Sequence, residues 1–244
     1  MDPFAAVAGV AVTLLETRAL TRRFAGITAV DAVDFTLDRG EVRALIGPNG
    51  AGKTTLTSLL IGRLAPDAGS VHFGGRDVTR LPAHARVRLG MAYTFQITSV
   101  FADLPVSENV ALAARRAGRG AHVDETLDRV GLPGRGDTLA RDLSYGHQRL
   151  LEIAMGLVQA PALLILDEPT QGLAEAEITG FRTLVREIVP DTTVLLIEHN
   201  MAVVMALADR VTVMDRGRIL AEGTPDAIRA DAAVQAAYLG TDRC

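Results

Sequence analysis

Gly47-Pro48-Asn49-Gly50-Ala51-Gly52-Lys53-Thr54-Thr55 is the stretch from which the rest of this chain is read. It fits the pattern G-x-x-x-x-G-K-[ST]. Its glycines let backbone N–H groups turn inward around a polyphosphate. Its lysine reaches the β- and γ-phosphates, and the Thr54 hydroxyl can ligate Mg²⁺. Of the 25 lysine and arginine residues in the chain, Lys53 alone is lysine. An arginine is a wide planar fork, whereas an ammonium is a compact point charge that fits inside such a loop. A coding bias against lysine could have spared one position anywhere, and it spared this one, so a functional requirement is the better reading.

The flanks agree with the loop. Glu41–Ile46 reads as a strand entering it, and Thr54–Leu64 has helical periodicity stopped by Pro66 and Gly69. The motif therefore lies between a strand and a helix N-terminus, where backbone N–H groups face an anion. Leu14–Leu20, Val33–Leu37, Val71–Phe73 and Met91–Phe95 read as further strands. Leu163–Leu166, Thr193–Ile197 and Arg210–Met214 are short apolar runs between helical segments, the texture of a buried, largely parallel sheet. Asp215-Arg216-Gly217-Arg218 reads as a hairpin turn before Ile219–Ala221. Between residues 99 and 157 apolar residues recur at helical spacing, broken at Ala117–Gly120 and Pro133–Gly136, as in an inserted helical subdomain.

The bulk properties set limits. The 244 residues are 48% hydrophobic and 22% charged, an ordinary globular composition. A net charge of −4 argues against non-specific nucleic-acid binding, which needs a basic footprint. The single cysteine, Cys244, permits no internal disulfide and no cysteine metal site, consistent with a reducing cytosol. The apolar stretch Phe4–Val12 has no positive flank and is too short to span a bilayer, so the chain reads as soluble.

Two strand ends carry polar chemistry. Leu163-Leu164-Ile165-Leu166-Asp167-Glu168 delivers two carboxylates to the C-terminal edge of a buried strand, where ligands of open α/β sheets bind. Asp167 is placed to hold a Mg²⁺ shell and Glu168 to polarise a water for attack on the γ-phosphate, against a bland reading as carboxylates capping a strand. Val194-Leu195-Leu196-Ile197-Glu198-His199 ends likewise, and His199 is suited to bond the γ-phosphate. His72 and His84 read as surface-turn residues and His122 as a loop residue. Leu143-Ser144-Tyr145-Gly146-His147-Gln148 precedes a helix expected over Arg149–Val158. Ser144 is a good N-cap and Gly146 allows close backbone approach, although an ordinary cap is the simple alternative.

Together, in order and spacing, these pieces resemble the ATP-binding-cassette (ABC) transporter ATPases across nearly the whole chain. The resemblance implies an α/β phosphate-loop fold with a RecA-like core, an antiparallel β subdomain and the inserted helical subdomain. It implies a single ATPase domain over 14–240, an N-terminal extension at 1–13 and a tail at 241–244. ATP and Mg²⁺ are the implied ligands. Phe24 stands where the family stacks an aromatic on adenine, a core Phe being the alternative. Gln96 matches the Q-loop and is a candidate Mg²⁺ ligand and catalytic residue beside Thr54, Asp167, Glu168 and His199. Ser144 and Gly146 match the signature motif that faces a partner's ATP, and Tyr145 and His147 stand within the same stretch.

A finer resemblance lies in Tyr93-Thr94-Phe95-Gln96, Glu198-His199-Asn200-Met201, Glu222-Gly223-Thr224-Pro225 and Ala237-Tyr238-Leu239-Gly240. These look like the branched-chain amino-acid uptake branch, which also includes urea and amide importers. It implies a second ABC ATPase subunit, two membrane permease subunits and a periplasmic binding protein, with this chain peripheral on the inner face of the membrane. Val100, Phe101 and Leu104 are then expected to dock a permease helix, or else to fill the helical subdomain. Two departures stand out: Tyr145 replaces the first signature glycine, and Ala174 stands where the family has a D-loop aspartate. A lipopolysaccharide-type export ATPase and a soluble non-transport ABC ATPase are the rival readings.

Overall fold

The computed structural model describes residues 12–94, 99–116 and 122–239. Phe95, Gln96, the loop at 117–120, Gly240 and most of both expected terminal segments lie outside the described residues. In chain order the elements begin with β1 (Thr13–Phe24), β2 (Ile27–Asp38), β3 (Val42–Ile46), α1 (Lys53–Leu60), β4 (Ala68–Phe73), β5 (Arg76–Asp77) and α2 (Ala83–Arg88). They continue with β6 (Met91–Tyr93), α3 (Val106–Arg116), α4 (Val123–Arg129), a 3-10 turn (Ala140–Asp142), α5 (Tyr145–Leu157) and β7 (Leu163–Asp167). The remainder are α6 (Glu175–Ile188), β8 (Thr193–Ile197), α7 (Met201–Leu207), β9 (Arg210–Asp215), β10 (Arg218–Gly223), α8 (Pro225–Ala230) and α9 (Ala232–Leu239). Two compact units result: one joins the chain up to Val87 with the chain from Ala208 onward, and the other is Arg88–Leu207.

In the first unit β1 and β2 form a long hairpin, turned at Ala25-Gly26, and β4 and β5 extend it in the order β2-β1-β4-β5, all antiparallel. Buried Leu14, Leu15, Leu20, Val30, Val33, Phe35 and Leu37 fill its core. Beside this sheet, β3 pairs in parallel with β9, and β9 pairs antiparallel with β10. All five residues of β3 are buried, including Arg43. The Arg43 guanidinium donates through Nη1 to Thr212 Oγ1 at 3.0 Å and Glu222 Oε1 at 3.1 Å, and through Nη2 to Glu41 Oε1 at 3.0 Å. A buried cation needs such partners. Arg86 is buried as well and donates to the carbonyls of Leu59 (2.7 Å) and Leu60 (2.6 Å) at the end of α1. It thereby satisfies helix-end acceptors that have no partner in the helix. Burial pushes its pKa down to about 10.

In the second unit β6, β7 and β8 run parallel, with β7 in the middle. β7 and β8 are buried at every position, which explains their unbroken apolar runs. Helix α5 lies close on β7: a Cβ added at Gly156 would stand 3.0 Å from Leu164 Cδ1. Helices α3, α4 and α5 fall within the stretch expected to be helical.

Several local expectations shift. β1 and β2 are longer than their apolar runs, because hairpin pairing carries Arg22 and Arg23 into the ladder. Helix α5 starts at Tyr145 rather than Arg149, because Ser144 caps it. His72 lies on β4 and His84 on α2, not in turns. Among the described residues no helix is long and apolar enough to cross a membrane.

Candidate functional site

The phosphate loop belongs to the first unit and is shaped by close backbone approach. At Gly47 and Gly52 an added Cβ would meet Met214 O at 2.2 Å and Ala29 O at 2.3 Å. Gly52 also caps α1 in the left-handed region, at φ 103, which a side chain would strain. Ala51 is anchored on both sides: its N–H donates to Pro48 O at 3.1 Å, and its carbonyl accepts from Gly217 N at 2.9 Å. Lys53 is 8% exposed, and its Nζ donates to Gly47 O at 2.6 Å and Pro48 O at 3.1 Å. The loop therefore already curls around the ammonium. Asn49, Gly50 and Thr54 are exposed, leaving loop backbone and a hydroxyl open to a ligand. Pro48 and Asn49, with Ala236 and Ala237 of α9, line a pocket of about 280 Å³. Phe24 ends β1 at 40% exposure, with the Arg22 guanidinium 4.8 Å over its ring. It is not a core residue.

The second unit carries the carboxylates and the histidine. β7 ends in Asp167, and Glu168 follows at φ 50, a conformation rare for a residue with a side chain. The Glu168 N–H donates to Ile197 O at 2.8 Å, locking it to the end of β8. Its Oε1 lies 2.9 Å from His199 Nε2, so the structure brings these two predicted residues together. Asp167 Oδ2 accepts from the Tyr93 hydroxyl at 2.7 Å, and its backbone N–H donates to Thr94 Oγ1 at 3.3 Å. Gln96 lies outside the described residues.

At the start of α5, Ser144 Oγ accepts from His147 N at 3.2 Å. The Ser144 hydroxyl keeps its own proton to donate. The signature residues sit against the loop after β7. A Cβ on Gly146 would stand 2.9 Å from Gly172 O, and one on Gly172 would stand 2.5 Å from the Tyr145 ring. Glu177 of α6 binds both sides of this junction. Its Oε2 accepts from Ala174 N at 2.6 Å, and its Oε1 lies 3.0 Å from His147 Nε2. Ala174 is the N-cap residue of α6 and has no side-chain acceptor of its own.

The apolar anchors are unequal: Phe101 is 55% exposed, while Val100 and Leu104 are half-buried. Buried Asn109 holds their segment. Its Oδ1 accepts from Phe101 N at 2.7 Å, and its Nδ2 donates to Phe101 O at 3.1 Å and Pro105 O at 3.0 Å.

Four residues were missed in the sequence. Tyr93 reaches a partner 74 residues away, so no local spacing reveals it, whereas the partners of Asn109 lie four to eight residues before it. Glu198 is buried, and its carboxylate accepts from Thr170 N, Thr170 Oγ1, His199 N and Asn200 N. It thus fixes both strand ends. Arg149 is fully buried, and its Nη2 donates to the carbonyls of Asp167 at 2.9 Å and Glu168 at 3.2 Å. Its signal was legible: Arg149 and Glu152 stand three apart, on one side of the helix, within an otherwise apolar run of Leu150, Leu151, Ile153 and Ala154.

A phosphate loop opening a helix, and a buried parallel strand ending in Asp-Glu beside a histidine, define a nucleotide-hydrolysing cassette. The comparisons agree. The ABC transporter family model matches residues 30–171, and the chain belongs to that family. A model described as branched-chain amino acid ATP-binding cassette transporter matches residues 218–243, covering β10, α8 and α9. The high-affinity branched-chain amino acid transport ATP-binding protein BraF of Pseudomonas aeruginosa is 36% identical, over 93% of this chain and 98% of its own length. The corresponding protein LivG of Salmonella typhimurium is 38% identical over the same shares. The crystal structure of an ABC-transporter ATP-binding cassette in its ADP conformation has a TM-score of 0.84 at 28% identity, over 94% of this chain and 99% of that one. The fold is that of an ABC ATPase. Proteins of this family bind ATP and hydrolyse it to power transport.

Proposed function

We propose that this chain is the ATP-hydrolysing subunit of a membrane ABC importer for branched-chain amino acids or related small polar solutes. The C-terminal match and the relatives support the substrate class. The observation that carries the hydrolytic reading is the 2.9 Å contact between Glu168 and His199 at the ends of two buried parallel strands.

Residues Gly47, Pro48, Asn49, Gly50, Ala51, Gly52, Lys53, Thr54 and Thr55 form the loop that grips the phosphates, through the backbone N–H groups of all but Pro48, which has none, and through the ammonium. Phe24 stacks on the adenine. Thr54 and Asp167 are hard oxygen donors, the type Mg²⁺ prefers, and the Tyr93 bond to Oδ2 fixes the Asp167 carboxylate. Gln96 joins them as a further ligand. Bound there, Mg²⁺ neutralises charge on the phosphates. Glu168 accepts the proton of the attacking water, and His199 orients Glu168 and donates to the γ-phosphate. Ser144 and the backbone N–H groups of Tyr145 and Gly146 donate to the ATP of a second ABC ATPase subunit, with His147 completing the signature and its own N–H holding Ser144 Oγ. That split arrangement excludes water and adds donors around the γ-phosphate, the terms that dominate phosphoryl transfer.

Exposed Phe101, held up by Asn109, docks a helix of one of two permease subunits, with Val100 and Leu104 supporting it from the half-buried side. The chain acts on the inner face of the membrane, and a periplasmic binding protein delivers the solute. The domain spans 14–240, with 99–157 as its helical subdomain.

The test is Glu168→Gln in the assembled transporter. ATP binding persists and turnover stops. Brisk hydrolysis by that variant removes Glu168 as the base.

A further inference from the structure

The geometry points to Arg149 as a positioning residue for hydrolysis: its buried guanidinium holds the backbone of Glu168 in the conformation that presents the carboxylate to His199. This rests on the reading of Glu168 as the base.

Glu168 stands at φ 50, where a Cβ crowds the backbone and few residues other than glycine settle unaided. Such a conformation persists only where neighbours over-determine it. The N–H of Glu168 is held by Ile197 O at 2.8 Å. On the carbonyl side, Arg149 Nη2 bridges the oxygens of Asp167 (2.9 Å) and Glu168 (3.2 Å), spanning the peptide plane that must turn. Gln171 N also reaches Glu168 O at 3.2 Å, but it belongs to the same loop and moves with it. Arg149 does not, because it is anchored in α5.

The other arm of the fork explains why the cation tolerates full burial. Arg149 Nη1 donates to Glu152 Oε2 at 2.9 Å, and Glu152 Oε1 accepts from Ser99 N at 2.5 Å. One guanidinium thus ties three segments: the helix that begins with the signature residues, the end of β7, and the chain at Ser99. A lysine has no planar fork and cannot bridge two carbonyls while serving a carboxylate. A misplacement near 1 Å at a reacting group costs on the order of 10²-fold in rate, so loss of this tie falls on turnover rather than on ATP binding.

Two variants test this in the assembled transporter: Arg149→Lys, and the charge-neutral pair Arg149→Met with Glu152→Gln, which leaves no orphaned buried charge. The readouts are steady-state kcat and KM for ATP, the Kd of a fluorescent ATP analogue, and Tm. Both variants are expected to lose at least tenfold in kcat, with KM and the analogue Kd within twofold of wild type. A kcat within twofold of wild type overturns the inference, as does a rise in KM at unchanged kcat. Should the double variant fail to fold, Arg149→Lys carries the same test because it keeps the charge beside Glu152. Glu168→Gln run in parallel separates the two ideas. If it hydrolyses normally, the base assignment fails. If it is inactive while both Arg149 variants turn over normally, only the role of Arg149 fails.

Discussion

The phenolic hydroxyl of Tyr93 donates to Oδ2 of Asp167 at 2.7 Å, joining positions 74 residues apart. It fixes the rotation of a carboxylate assigned to Mg²⁺. Removing such a supporting bond typically costs 10–100-fold in metal affinity or activity. Tyr93→Phe is expected to raise the Mg²⁺ concentration for half-maximal hydrolysis about tenfold. Binding of the fluorescent ATP analogue without Mg²⁺ stays unchanged. An unaltered Mg²⁺ titration rules out the role.

Lys53→Arg keeps the charge but not the shape. The Lys53 ammonium sits within 2.6 Å of Gly47 O and 3.1 Å of Pro48 O, inside a loop whose glycines already touch backbone. The wider guanidinium does not fit there, so ATP affinity should fall at least about tenfold, equivalent to roughly 1.4 kcal/mol, with little change in Tm. Wild-type affinity, measured by equilibrium binding, would return the lone lysine to compositional accident.

Glu177 supplies one half of a capping box whose other half is absent. Ala174 offers no acceptor at the start of α6, and Glu177 reaches back to its N–H at 2.6 Å while meeting His147. Glu177→Ala should lower stability by about 1 kcal/mol, as for loss of a helix cap, read by chemical denaturation. Ala174→Asp should stabilise α6 by a similar amount. It should also change the rate or ATP cooperativity of the assembled transporter if Ala174 marks two unequal nucleotide sites. An unchanged ATPase curve would count against unequal sites.

Glu152 gives stability a pH dependence of known sign. Burial pushes its carboxyl above the ordinary 4.5, with the Ser99 N–H and Arg149 opposing. The folded chain therefore binds this proton more tightly than the unfolded chain. Its contribution to stability falls as pH rises from 4.5 through the raised folded value. Glu152→Gln removes that slope. The stability of wild type minus that of the variant should be smaller at pH 7 than at pH 4.5, and a flat difference would be the contrary result.

The sequence revealed the chemistry at strand ends and little of what holds it there. Lys53, Asp167, Glu168 and His199 were legible because a short apolar run followed by a polar residue is a local pattern. Gly47 and Gly52 were legible as a motif, but the backbone atoms they must avoid, Met214 O and Ala29 O, belong to distant strands. Tyr93 and Glu198 act on Asp167 and Thr170, partners that only the fold brings near. Helix α5 begins four residues before the Arg149 start that its apolar pattern predicts, because Tyr145-Gly146-His147-Gln148 lacks helical hydrophobicity and the Ser144 cap sets the boundary.

The solitary lysine also has a practical consequence. Apart from any free α-amino group, the chain offers amine-reactive reagents a single target, and that target is 8% exposed within its own loop. Acylation of that nitrogen reports directly on how tightly the loop is closed. Protection by added nucleotide can then be followed at one atom, without background from any other side-chain amine.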